Sequence, residues 1–165
     1  MDIRFQTGGP SAWKAEAVLT FVFEGEGPDE ACHVLEQAAP WLGIAPAWRD
    51  FKGKKRELAT LYGPPAMDIP RVQAVGLGRR EALAAVDLRY AVGGAVRLCR
   101  EQGAADVGID LASLGRVAPV LDRDLAALAR EVVLAALLGL YRYDRWLSDR
   151  AELPADPARL FLLVD

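Results

Sequence analysis

A strand that runs into a glycine turn and then into a long amphipathic helix constrains this chain more than any other stretch of it. Ile69 to Val75 reads as a strand that leads straight into Gly76-Leu77-Gly78. From Arg80 to Glu101 the apolar positions Leu83, Val86, Tyr90, Gly93 and Val96 recur at helical spacing. Ala105 to Ile109 then reads as a further short strand. A strand, helix, strand crossover of this length places its two strands parallel in one sheet.

The flanking sequence extends the same pattern. Ala17 to Phe23 is rich in β-branched and aromatic residues and ends at Glu24-Gly25-Glu26-Gly27-Pro28, which predicts a buried strand and a turn. Asp29 is placed to cap a helix carrying Cys32, Leu35, Ala39 and Leu42 on one face, with Gly43 at its end. Ala45 to Lys55 reads as a loop, and Arg56 to Tyr62 as a strand broken by Gly63-Pro64-Pro65. Asp122 or Asp124 is suited to cap a last long helix through Leu125, Leu128, Val132, Ala136 and Leu140. Pro154 and Pro157 punctuate a polar linker before a final strand, Arg159 to Val164. Strands alternating with helices predict an α/β three-layer sandwich, its sheet mixed but largely parallel and flanked by helices.

At 165 residues the chain suits one core, and 52% hydrophobic with 26% charged residues is ordinary globular usage. The net charge of -3 and pI near 5.3 supply no global positive field for nucleic acid. Cys32 and Cys99 are too few to staple a small secreted scaffold, so both are expected reduced, in a cytoplasmic setting. Met1-Asp2-Ile3-Arg4-Phe5 has no long apolar run behind a basic cluster, so a secretory signal is not expected. The most apolar run, Val132 to Leu140, falls far short of the ~20 residues that cross a bilayer.

Candidate chemistry is sparse. Gly76-Leu77-Gly78 could present amides to an anion at a helix amino terminus, but Glu81 stands where a dinucleotide fingerprint needs a third glycine. A tight turn that needs glycine for its backbone geometry is the competing explanation. Arg49, Lys52, Lys54, Lys55 and Arg56, interleaved with Trp48 and Phe51, could hold phosphates and stack bases, although Asp50 and Glu57 dilute the charge. A solvated loop or a domain contact would look the same. His33 is the only histidine, so one copy cannot build a two-histidine metal site, and its neighbour Cys32 points elsewhere on a helix. Gly93-Gly94 inside a helix implies close packing against the sheet, and Tyr141, Tyr143 and Trp146 suit core or interface anchors. No residue is assigned a catalytic, cofactor-binding or metal-binding role.

The order of several of these motifs resembles the leucyl aminopeptidase (cytosol aminopeptidase) family. Phe51-Lys52-Gly53-Lys54, Glu57, Val75-Gly76-Leu77-Gly78, Ala91-Val92-Gly93-Gly94-Ala95 and Leu137-Leu138-Gly139-Leu140-Tyr141-Arg142-Tyr143-Asp144-Arg145-Trp146 carry the resemblance, from about Ala17 onward. Tyr143 and Trp146 depart from the family's usual phenylalanine and tyrosine. The resemblance implies a macro-domain-like, non-catalytic amino-terminal domain over residues 1–150. Residues 151–165 would then be a linker and first strand leading toward a catalytic domain outside this chain.

The resemblance further implies a parent enzyme that removes amino-terminal residues from peptides. Two divalent metal ions, zinc or manganese, would sit in its carboxy-terminal domain, and the protein would assemble as a hexamer. The family's catalytic signature Asn-Thr-Asp-Ala-Glu-Gly-Arg does not occur in these residues. The chain alone is therefore expected to be inactive, to serve packing, assembly or regulation, and to expose apolar surface where its partner domain docks. Two alternatives stand beside this reading: a stand-alone macro-domain-like module that binds ADP-ribose or another nucleotide, and a DNA-contacting regulator acting through Arg49 to Arg56, which the acidic balance disfavours.

Overall fold

The computed structural model describes residues 1–142 and 153–165. Six strands form one sheet: β1 (Asp2–Gln6), β2 (Ala17–Val22), β3 (Leu58–Tyr62), β4 (Arg71–Gly76), β5 (Asp106–Asp110) and β6 (Arg159–Leu163). Their spatial order is β1-β6-β5-β2-β4-β3. Every neighbouring pair is parallel except β3 with β4. The strand, helix, strand crossover is present as β4, α3 (Ala85–Glu101) and β5, although β5 and β4 flank β2 rather than pair with each other.

Strands buried on both faces read as continuous apolar runs, and β2 does so at the centre of the sheet. Its Ala17, Leu19 and Phe21 enter the core beneath α3, α4 (Leu111–Val117) and α5 (Leu125–Leu140). Its Val18 and Val22 enter a second core with Trp13, Phe51 and the short helices α1 (Pro28–Ala31) and α2 (Leu35–Ala38). Three layers result. Complete burial of each large side chain in these cores contributes about 1.5–3 kcal/mol.

Local chemistry explains where the elements depart from expectation. The single helix expected from Asp29 to Leu42 is instead α1, α2 and a 3-10 turn. Pro40 disfavours the helical region for the residue before it, and Ala39 accordingly sits at φ -131°. A second break falls at Cys32, at φ -122°. Helix α3 also begins later than Arg80: a 3-10 turn spans Arg80–Ala82, Ala84 is extended, and the Asp87 carboxylate accepts a hydrogen bond from the Ala84 amide at 3.2 Å. Asp124, not Asp122, caps α5, through a 2.7 Å bond from the Ala127 amide. Asp122 is left-handed, at φ 51°. The sequence reading assigned neither β1 nor α4. Strand β6 lies between β1 and β5 within the sheet, and the boundary expected at 150 lies outside the described residues.

Candidate functional site

Parallel sheets place ligand sites beyond the carboxyl ends of their strands. At that edge lie the turn Gly76-Leu77-Gly78 after β4, the loop after β2 and Asp110 at the end of β5. All three amides of the glycine turn are already engaged. Gly76 donates to the Glu57 carbonyl (2.8 Å), Leu77 to Val22 (2.9 Å) and Gly78 to Gly53 (2.8 Å). An anion at a helix start needs free amides and the helix dipole. This turn offers neither, because α3 begins only at Ala85. Glycine is required here by geometry: Gly78 has φ +76°, and a Cβ on Gly76 would overlap the Lys54 carbonyl oxygen.

The loop from Phe51 to Glu57 is pinned against the same turn. Gly53 has φ +69°, and a Cβ there would lie 2.5 Å from the Phe23 carbonyl oxygen. The Glu57 carboxylate accepts from the amides of Lys52 (3.1 Å) and Lys54 (2.8 Å). The basic cluster is largely turned to structural use. Lys55 pairs with Asp87 at 2.7 Å, and Arg56 lies 5.0 Å above the Tyr90 ring. Lys52 Nζ donates to the Arg49 carbonyl at 2.7 Å. The hydrogen bond from Lys55 holds the Asp87 carboxyl below its usual range. Phe51 is buried and packs edge-on against Trp48 at 5.5 Å, while the Trp48 indole N–H donates to the Leu42 carbonyl. Neither ring is presented as a platform for a base.

A charged node that the sequence reading missed ties three segments together. Glu26, whose side chain is 5% exposed, accepts from the Phe23 amide (3.0 Å), from Arg116 (2.9 Å) and from Arg80. Arg116 also donates to the carbonyls of Phe21 (2.7 Å) and Ala31 (3.2 Å), and Arg80 stacks over Phe23 at 4.4 Å. Burial alone would raise the Glu26 carboxyl, but these hydrogen bonds and charges outweigh it and hold it below its usual range. No local motif signals the node, because its members are far apart in sequence.

Asp110 is pushed upward by burial, although it accepts from the amides of Ala112 (3.0 Å) and Ser113 (3.2 Å) and from the Thr20 hydroxyl (3.1 Å). Cys32 lies 3.8 Å from that hydroxyl, and burial lifts its thiol, like that of Cys99, to about 12. His33 is exposed while Cys32 is buried, so the two do not converge. Among the described residues, no group of three or more histidine, cysteine or acidic side chains is placed to hold a metal ion. The polar groups of this edge bind its own loops together.

Apolar surface is exposed on the opposite side of the helical layer. Leu134, Leu137 and Leu138 on α5 are exposed, as is Tyr141 just beyond it. Tyr143 and Trp146 lie outside the described residues. A groove of about 740 Å³ runs between α3 and α5 over Gly93, Gly94 and Gly139, with Arg89, Arg97 and Arg130 around it. A second, more apolar groove of about 690 Å³ lies between α5 and β1. No helix among the described residues is long and apolar enough to cross a membrane.

Comparison with known proteins agrees with the motif order. The sequence profile of the cytosol aminopeptidase family, N-terminal domain, matches residues 18–150. A probable cytosol aminopeptidase of Nitratidesulfovibrio vulgaris is 51% identical over 169 residues, covering 100% of this chain and 32% of that protein. The chain thus spans about a third of the relative's length. A mutant of tomato leucine aminopeptidase has a similar fold, with TM-score 0.73 at 16% identity over 99% of this chain and 32% of its own. A Trypanosoma brucei macrodomain in complex with ADP shares the fold at TM-score 0.64 and 16% identity, over 99% of this chain and 63% of its own. The fold is thus macro-domain-like, and the chain belongs to the cytosol aminopeptidase family as its amino-terminal domain.

Proposed function

We propose that this chain is the non-catalytic amino-terminal domain of a cytoplasmic, metal-dependent leucyl aminopeptidase, and that it serves packing and assembly of that enzyme. The observation that carries this reading is the contrast between its two functional faces. At the carboxyl edge of the sheet, the amides of Gly76 to Gly78, the Glu26 carboxylate and the Arg116 guanidinium are spent on the domain's own loops. On the helical face, Leu134, Leu137 and Leu138 are open to solvent. Contiguous apolar patches of this kind mark protein contacts.

The described residues do not fit a divalent-metal site, so the zinc or manganese pair of the parent enzyme is assigned to the remaining polypeptide. Hexamer formation belongs to that intact protein as well. Calorimetric titration of the chain with ADP-ribose tests the alternative of a nucleotide-binding module. The proposal expects no heat at millimolar ligand, and saturable heat would replace it with a binding function.

A further inference from the structure

The groove between α3 and α5 is basic, although the chain as a whole carries a net charge of -3. Among the described residues its lining holds Arg89, Arg97, Arg123 and Arg130 against one acid, Glu131. That acid is already paired with Arg89 at 2.7 Å. Arg97, Arg123 and Arg130 are exposed and form no ion pair among the described residues. Like charges gathered along one concavity raise its potential and draw in anions. The same groove is lined by Tyr90 of α3 and by Leu134 and Leu138 of α5, all three exposed. Glu131 lies against Arg89 and Gly139 against Gly93, so the two helices run in the same direction. Arg123 and Arg130 therefore stand toward one end of the groove and Arg97 toward the other. Val86 and Arg97, the first and last α3 residues of the lining, are eleven positions apart, about 16 Å along the helix. An extended chain advances about 3.3 Å per residue, so about five residues span that length.

We propose that this groove binds short acidic peptides in extended form, as a site separate from any catalytic centre. Apolar side chains of the peptide lie on Tyr90, Leu134 and Leu138, and carboxylates at its two ends pair with Arg97 and with Arg123 or Arg130. Guanidinium groups suit this role, because their planar fork takes a carboxylate through two parallel hydrogen bonds. The apolar strip between the arginines favours a peptide over nucleic acid, whose regularly spaced phosphates gain nothing from leucine and tyrosine side chains. The choice of peptide as the anion rests on the proposed function, under which peptides are what the intact protein handles. Leu137, on the other flank of α5, lines the neighbouring groove and remains part of the assembly surface.

Calorimetric titration of residues 1–165 and of the intact protein with N-acetyl-Glu-Leu-Phe-Leu-Glu tests the site. The acetyl group removes the free amine at which an aminopeptidase acts, so hydrolysis does not intrude. The expected result is saturable one-to-one binding to both forms, weakened by added salt and at least about tenfold weaker in Arg97→Glu and in Arg130→Glu. Both arginines are exposed, so these variants keep the fold, which circular dichroism checks. The counterpart peptide with lysine in place of both glutamates should not bind. Absence of saturable heat at millimolar peptide overturns the proposal, as do equal binding of the lysine peptide and affinity unchanged in both variants. Binding to residues 1–165 that is lost in the intact protein means the remaining polypeptide covers the groove, and a short DNA duplex that binds more tightly and is released by the same substitutions means a nucleic-acid surface; either result overturns it. Leucine 4-nitroanilide hydrolysis by the unsubstituted intact protein, measured separately, distinguishes failure of this site from failure of the proposed function.

Discussion

Gly139 on α5 and Gly93 on α3 bring the two helix backbones into direct contact: a Cβ on Gly139 would stand 2.5 Å from the Gly93 Cα. The glycine pair Gly93-Gly94 therefore serves a helix-to-helix crossing at Gly93, where the sequence suggested packing on the sheet. Gly94 meets only the end of Leu58, at 3.8 Å.

The two positions predict opposite outcomes. Gly139→Ala overpacks the crossing and costs about 2 kcal/mol, which lowers Tm by about 4–8 °C at this chain length. Gly94→Ala adds a methyl in ordinary contact and gains the helix preference of alanine, about 0.5–1 kcal/mol of added stability. Thermal unfolding by circular dichroism checks both. Equal effects would mean the helices are not locked by Gly139.

Glu26→Gln removes the charge that Arg116 and Arg80 share at the carboxyl edge. We expect a loss of about 2 kcal/mol at neutral pH. Because the folded Glu26 carboxyl titrates below its usual value, its contribution is present above the ordinary carboxylate range and is lost as pH falls through the folded value. Urea unfolding from neutral to acid pH should show a shallower acid loss in the variant; an unchanged slope would mean the node does not form.

Asp110 carries the opposite sign. Its folded carboxyl is raised, so it favours the folded state below the ordinary aspartate range, and that contribution disappears as pH rises through the folded value. Asp110→Asn keeps an oxygen to cap α4 and removes a buried charge. The variant should be more stable than wild type at pH 7 by about 1 kcal/mol, and that advantage should shrink as pH falls through the folded value of Asp110. A large loss at pH 7 would show that the ionised carboxylate is needed by the α4 cap.

The thiols of Cys32 and Cys99, buried and raised to about 12, should not react with an aromatic disulfide reagent in the native state. Both should react at once in denaturant. Rapid native labelling would place one of them at the surface.

The interior of this fold is written locally, and its edges are not. The run Ala17 to Val22 and the spacing of Leu128, Val132 and Ala136 declare a central strand and a core-facing helix without help from neighbours. Strand β1 gives no such signal, because Asp2 to Phe5 are exposed and paired only through β6, more than 150 residues away in the chain. The short turns around α1 and α2 mimic a helix because their apolar residues must face the sheet, whatever the backbone does between them. Pro40 was the visible sign of the break. The node at Glu26 had no sign at all, since Arg80 and Arg116 reach it only in the folded chain. The family motifs Phe51-Lys52-Gly53-Lys54, Glu57 and Gly76-Leu77-Gly78 were legible as a pattern, and their common physical reason is that they pack backbone against backbone.

The most direct test of the proposed function compares hydrolysis of leucine 4-nitroanilide, with added manganese or zinc, by residues 1–165 and by the intact protein. The account predicts metal-dependent turnover by the intact protein and none by residues 1–165, although the shorter chain is folded by circular dichroism. Turnover by residues 1–165 alone, or an intact protein that cleaves no aminoacyl substrate, would contradict it.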